Sequence, residues 1–380
     1  MMSPRADRVP ADRVVSVDFW RGIALAIIFI DHMPGGFLAH LTPRNFGFSD
    51  AAEIFVFLAG IAASFAYFKR HGEAVRDIFK IGRRVFTLYT THIVVLVLCG
   101  GIIAYTSLAA QDPRFLEMMQ FDQVAKDPLP ALVGIATLLF QPSSLNILPL
   151  YIVLLALAPA LILLVRYDMR LALLASGSLY LLTQFFDLTL PSYPNPDAWF
   201  FNPFAWQFLF TLGLCCGMLI SRHRRLASNK ALTVASILYL LVSLVVVHGG
   251  FVGGYDLSPL PRFLWDQDKT NLSLPRLLHF GALVYLVTRL PVDAWIRGRL
   301  PCLPLIFMGR HSLPVFSFGV VLSMVGQGLK IFYAGSDGVD VFAVSVGLAL
   351  QIGLAWILEW QRTGLTRAGA PAEQAAARAS

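Results

Sequence analysis

Residues 16–60 read SVDFWRGIALAIIFIDHMPGGFLAHLTPRNFGFSDAAEIFVFLAG, and this stretch decides the fold. Two apolar runs flank a short polar loop, the pattern of two membrane-spanning helices. A plain anchor would be uncharged, yet Asp18, Arg21, Asp31, His32, His40, Arg44, Asp50 and Glu53 all fall within it. Ionisable groups at membrane depth are costly, so they persist where they pair or line a wet cavity. Arg21 and His32 are eleven positions apart. That is about three turns, so both face one side roughly 16 Å apart along the axis. Asp18 precedes Arg21 by three and can pair with it. One face of the first helix therefore presents a cation near one membrane surface and an imidazole towards the other.

The rest of the 380-residue chain fits that start. It is 57% hydrophobic and 14% charged, with mean hydropathy +0.66. Soluble domains carry about 25% charged residues, so an all-α, polytopic membrane bundle is expected. The net charge of +7 sits in short clusters between apolar runs, as in cytoplasmic loops, which argues against nucleic acid as a partner. Cys99, Cys215, Cys216 and Cys302 lie in or beside apolar runs, with no spacing that suggests a metal site. The first apolar run lacks a cleavage site and is expected to remain as a helix.

Residues 1–15, with Arg5, Arg8 and Arg13, form an expected cytoplasmic segment. Helix 1 is expected over 17–38, with a break at Pro34-Gly35-Gly36, and helix 2 over 50–68. Residues 69–84, KRHGEAVRDIFKIGRR, are the most basic segment, and their second half reads as an interfacial helix leading into helix 3 over 85–105. The apolar run 129–140 is too short to cross. If the segment 129–144 stays on one side, every later basic cluster falls in the cytoplasm, so it reads as re-entrant or interfacial. Seven further helices follow, over 146–165, 171–187, 204–220, 231–248, 275–290, 304–326 and 340–360. The expectation is ten transmembrane helices in a domain spanning 16–362, both termini cytoplasmic, and a disordered tail over 363–380. The loops 188–203 and 249–274 are aromatic and polar with few Lys or Arg, which suits either a carbohydrate-facing surface or an interfacial aromatic belt.

Candidate chemistry concentrates on two histidines. His32, beside Asp31, is placed to take and return protons near neutral pH. His40 lies in the outer loop, where Asp50 and Glu53 could orient it. Glu53 precedes a long apolar run and needs a partner, expected to be Arg44, His32 or His40. Lys80, Arg83 and Arg84 are helical neighbours suited to clamping phosphates, or else simple topology markers. Arg310-His311 interrupts an apolar span and calls for an anion or a carboxylate. No phosphate-binding loop, dinucleotide fingerprint or HExxH motif occurs.

DFWRGIALAIIFIDHMPG followed by NFGFSDAAEIFVFLAG resembles the OpgC family of osmoregulated periplasmic glucan succinyltransferases. More distantly, the chain is similar to the membrane acyltransferase-3 family. The Arg-x10-His signature of that family matches Arg21 to His32. Its cytoplasmic Arg-x-x-Arg pair stands here as Lys80-x-x-Arg83, and its late Gly-x-x-Ser-Tyr stretch as Gly309 to Leu313, without the Tyr. The first hairpin also resembles the heparan-α-glucosaminide N-acetyltransferase family, whose luminal His and following Asp match His40 and Asp50. The two resemblances nominate different histidines, and both stay open.

The resemblance implies acyl transfer across a bacterial inner membrane, from cytoplasmic acyl-CoA (succinyl-CoA foremost) to a hydroxyl of a periplasmic glucan. The donor is a substrate; no bound cofactor or metal is implied. Catalytic roles would fall to His32 or His40, oriented by Asp31, Asp50 or Glu53. Donor or substrate contacts would fall to Asp18, Arg21, Lys80, Arg83, Arg84, Arg310, His311, Arg44 and Asn45, with Asn45 or the Gly35-Gly36 amides as oxyanion donors. Expected partners are the bilayer, acyl-CoA and the glycan, with a homo-oligomer left open. The alternatives are a proton-coupled transporter or flippase using Arg21, His32 and Glu53 as a relay, and a sensory or scaffold protein with a paired polar core.

Overall fold

The structure is a computed structural model describing residues 15–67, 74–195, 199–222, 228–251, 256–296, 299–333 and 336–379. Arg5, Arg8 and Arg13, residues 69–73 of the basic loop, 223–227 and Arg297 lie outside the described residues.

Apolar periodicity and Pro, Asn and Asp punctuation yield an all-helical chain. α1 (Val15–Asp31) and α2 (Ala51–Tyr67) form the first hairpin, joined by two short 3-10 turns. Asp50 and Glu53 build a capping box for α2: Asp50 Oδ1 accepts from the Ala52 amide at 2.8 Å, and Glu53 Oε2 accepts from the Asp50 amide at 2.9 Å. α3 (Ala74–Ala110) follows, then the short α4 (Arg114–Met118), α5 (Asp122–Lys126) and α6 (Pro128–Ala136). Next come α7 (Ile147–Tyr167), α8 (Met169–Phe186), α9 (Pro203–Ser221), α10 (Lys230–His248), α11 (Leu274–Val287) and α12 (Val292–Ile296). α13 (Leu303–Arg310), α14 (Ser312–Phe332) and α15 (Asp337–Ala379) complete the chain. Asp168, Asn202 and Asn229 cap α8, α9 and α10 through their side chains.

Among the described residues, seven helices are long and apolar enough to cross a membrane: α3, α7, α8, α9, α10, α14 and α15. α2 and α11 are apolar but shorter. Large apolar side chains such as Val94, Leu108, Leu174, Val245 and Trp356 are turned outward, the surface of a multi-pass membrane protein.

Several boundaries differ from expectation. α1 stops at Asp31, not Leu38, because Pro34 has no amide to continue the helix and Gly35 takes φ +78°. The interfacial helix and helix 3 merge into one 37-residue α3, about 55 Å long. The span expected over 304–326 is two helices that break at His311. α15 continues as helical backbone through the tail expected to be disordered, an Ala-rich stretch of strong helix formers. α6 has nine residues, about 13 Å, too short to cross. Tyr89, midway along α3, donates to the Ala136 carbonyl at the end of α6 at 2.9 Å, which ties α6 to α3 ahead of the start of α7.

Side-chain pairs mark the two ends of the bundle. At one, Asp31, Asp50, Lys269, Arg276, Lys330 and Asp340 gather from the ends of α1 and α14 and the starts of α2, α11 and α15. At the other, Asp18, Asp77, Arg166, Arg310 and Glu359 gather. Between them lies the apolar core around Phe57, Leu88, Leu154, Trp206 and Phe210.

Candidate active site

The first of these ends holds a cavity of about 220 Å³. Six segments line it: the end of α1 (Ile28, Asp31, His32), Arg44 of the following turn, the start of α2 (Asp50 to Ala52), the approach to α7 (Ser143, Ser144, Asn146, Ile147), Phe200 and Phe201 ahead of α9, and Lys269 ahead of α11.

His32 sits one residue past α1 but keeps its helical hydrogen bond, its amide donating to Ile28 O at 3.0 Å, so the Arg21–His32 register survives. Gln327 of α14 donates to the His32 carbonyl at 2.7 Å and fixes the backbone. The ring is half-buried, and its Nδ1 is buried without a partner among the described residues. Burial, then the charges of Lys269 and Arg44, hold the imidazole below its ordinary value, at about 4. It therefore enters the cavity neutral, as a base.

Around it stands a layer of paired charges. Asp31 accepts from Thr42 Oγ1 at 2.7 Å and faces Arg44 Nε at 3.3 Å. Asp50 takes Lys269 Nζ at 2.6 Å and Arg276 Nη2 at 3.3 Å. Burial opposes the Asp50 charge, but Lys269 and Arg276 outweigh it and hold its carboxyl well below the usual range. Lys269 also lies 5.4 Å from the centre of the Phe201 ring, so its ammonium is fixed at the wall.

The expected residues are thus partly gathered and partly dispersed. Asp31, His32, Arg44 and Asp50 meet at the cavity. His40 does not line it; it lies exposed on the 3-10 turn. Glu53 meets neither Arg44, His32 nor His40: its partner is Arg276 of α11, with Nη2 at 2.7 Å and Nε at 2.8 Å. A carboxylate buried one turn inside α2 needs a cation from a facing helix, and only long-range packing supplies it. The Asn45 amide donates to Ala39 O at 2.7 Å and Thr42 O at 3.2 Å, holding the turn. Gly36 packs against the Asp340 carboxylate instead of the cavity.

At the opposite end Arg310 and His311 find a carboxylate. Glu359 of α15 lies 2.8 Å from Arg310 Nη1, 3.0 Å from His311 Nε2 and 2.7 Å from Arg362. Arg310 Nε also lies 3.5 Å from Asp18. Lys80 pairs with Asp77 at 2.9 Å, while Arg83 is exposed and Arg84 half-buried beside it.

Sequence reading missed Lys269, Arg276, Ser143, Ser144, Asn146, Phe200 and Phe201. Lys269 and Arg276 were visible as cations near outer-loop segments that otherwise carry few. Ser144 adopts φ +69°, strain of the kind that clusters at functional sites, and nothing in the sequence marks it.

The OpgC protein family profile matches residues 13–363. The chain belongs to the OpgC protein family. No curated protein matches it. The family match takes in every residue that lines the cavity, from Ile28 to Lys269, and not only the first hairpin.

Proposed function

We propose that this OpgC-family chain is a membrane O-acyltransferase that moves an acyl group, succinyl foremost, from acyl-CoA in the cytoplasm to a hydroxyl of a periplasmic glucan. Its setting is the cytoplasmic membrane of a bacterium. The observation that carries the reading is the imidazole of His32, its Nδ1 buried without a hydrogen-bond partner among the described residues, on the wall of a cavity that Arg44 and Lys269 also line.

Charge supports the sidedness. The end opposite the cavity collects Arg76, Lys80, Arg83, Arg84, Arg166, Arg170, Lys230 and Arg289, the cytoplasmic signature. At the cavity end Arg44, Lys269, Arg276 and Lys330 are each matched by a carboxylate. Acyl-CoA then approaches from the basic end along the Arg21 face of α1, and the glycan from the other.

In the reaction, the sugar oxygen attacks the thioester carbonyl carbon while His32 Nδ1 takes its proton. The tetrahedral oxyanion forms beside Lys269 and Arg44, which stabilise its charge. Asp31 and Asp50 offset the charge of the transient imidazolium. Collapse breaks the carbon–sulfur bond, and the proton passes to the departing thiolate, leaving the ester and CoA.

The test is CoA release by purified protein given succinyl-CoA or acetyl-CoA and a glucan. Well-folded His32→Ala should lose about a hundred- to ten-thousand-fold, while His40→Ala keeps wild-type turnover. Loss in His40→Ala alone would move the base to the loop. Absence of acyl-CoA binding and turnover in the wild type would favour a transporter.

A further inference from the structure

We propose that a second, larger cleft on the same end of the bundle is a carbohydrate-binding site that holds the acceptor chain while one of its sugars enters the His32 cavity. The assignment of acceptor rests on the acyltransferase reading above; the carbohydrate chemistry rests on the cleft itself.

The cleft encloses about 650 Å³ between the end of α8 and the loop that precedes α11. The His32 cavity, at about 220 Å³, is smaller than the ~300–1,000 Å³ common for drug-sized ligands, whereas the cleft falls within that range. A polymeric acceptor therefore needs more room than the reaction cavity gives, and the cleft supplies it.

Its lining suits a neutral polyhydroxylated ligand. Phe185, Phe263 and Trp265 offer apolar ring surface; the first two rings stand edge to face with centres 5.2 Å apart. Such rings cover the C–H faces of a sugar while polar groups meet its hydroxyls. Asp187, Asp266 and Asp268 line the same cleft against one cation, Arg262. That excess of carboxylates disfavours a phosphorylated or otherwise anionic ligand.

An independent observation points to a ligand. Ser273 lines the cleft, is 1% exposed, and stands at the N-cap of α11, yet its hydroxyl makes no capping bond. Its Oγ is buried with no hydrogen-bond partner among the described residues. A buried hydroxyl left this way costs free energy unless something enters to bond it.

The two cavities share a wall. Asp266, Gln267 and Asp268 face the cleft, whereas the next residue, Lys269, turns to Asp50 in the His32 cavity. Trp206 Nε1 fixes this crossover by donating to the carbonyls of Lys269 and Thr270, each at 3.1 Å. A chain bound in the cleft thereby lies against the same segment that delivers Lys269 to the reaction site.

The experiment is titration of the full-length protein, in a detergent without a sugar headgroup, with laminari-, cello- and sophoro-oligosaccharides, read by calorimetry. The wild type should bind at least one of them. Trp265→Ala and Asp266→Ala should weaken that binding about tenfold or more, with Trp265→Phe retaining it and thermal unfolding unchanged. Where CoA release is measurable, the two alanine variants should raise the acceptor KM and leave the acyl-CoA KM alone. No binding by the wild type, or equal binding by the variants, overturns the proposal. Trp265-dependent binding without any CoA release would leave the carbohydrate cleft standing while the acyl-transfer reading falls.

Discussion

Arg276 and Glu53 lie 223 positions apart, yet the guanidinium holds the fully buried carboxylate from two nitrogens, at 2.7 Å and 2.8 Å. The pair ties α11 to the first turn of α2, and through Asp50 it extends to Lys269 at the cavity wall. Removing one partner of a buried pair leaves a charge without compensation, which costs about 3–5 kcal/mol, whereas removing both is often close to neutral. Arg276→Met is therefore expected to unfold at a markedly lower temperature. The double variant Arg276→Met/Glu53→Gln should recover much of the loss. A thermal series in one detergent checks this, and equal unfolding temperatures for wild type and Arg276→Met would remove the pair from the account of the fold.

That pair also shows where sequence reading stops. The all-helical membrane character and the Asp50–Glu53 helix start were legible, because hydropathy and capping act locally; of the ten expected spans, seven are long and apolar enough to cross among the described residues. The placing of His32 at the end of α1, in helical register with Arg21, was legible from spacing alone. The partner of Glu53 was not, since any cation on any facing helix satisfies the same need. Lys269 was passed over because the loop around it reads as aromatic and polar. The weight given to His40 came from its spacing to Asp50, but a 3-10 turn carries it out to solvent. Arg310 and His311 were legible as charges needing a carboxylate; that Glu359 provides it depends on how α15 packs against the α13–α14 break.

The environment of His32 sets a pH profile. Its imidazole is held near 4, against 6.5 for the free group, by burial first and then by Lys269 and Arg44. A base with a lowered value stays unprotonated further into acid. Acceptor kcat/KM is thus expected to stay level from about pH 8 to about pH 5 and to fall as the ring protonates below that. Lys269→Met removes one of the lowering charges, so its acid limb should move to higher pH; burial remains, so it should stop short of 6.5. A wild-type limb at the ordinary histidine value would contradict the buried, cation-flanked ring.

The basic end separates two roles that the sequence leaves together. Arg310, His311 and Arg362 converge on Glu359, so they already serve a cluster that braces α13, α14 and α15. Arg310→Ala is expected to lower the unfolding temperature and leave the acyl-CoA KM close to wild type. Arg83 is exposed beside Lys80, the geometry of a phosphate contact. Lys80→Ala/Arg83→Ala should raise the acyl-CoA KM with little change in stability. Measuring both quantities on both variants assigns the donor site; a raised KM in Arg310→Ala alone would move it to the α13–α14 break.

The helix that carries the capping box is held in place by a close backbone approach. A Cβ on Gly60 of α2 would run into the Phe210 carbonyl of α9, and one on Gly213 of α9 into the Phe57 carbonyl of α2. In a bilayer, where apolar burial between helices contributes little, such small-residue contacts supply much of the association. Neither clash involves a flexible side chain that could move aside, so α2 and α9 would have to separate along their length. Gly281 of α11, by contrast, has open space where its Cβ would be. Gly60→Ala and Gly213→Ala should each destabilise the protein by about 1–3 kcal/mol, the cost of overpacking, while Gly281→Ala should be neutral or slightly stabilising as a better helix former. The shift also displaces Asp50 relative to α1, so turnover in Gly60→Ala should fall at temperatures where the protein is still folded. Unchanged turnover and unfolding temperature in that variant would mean that α2 reaches its place by contacts other than those with α9.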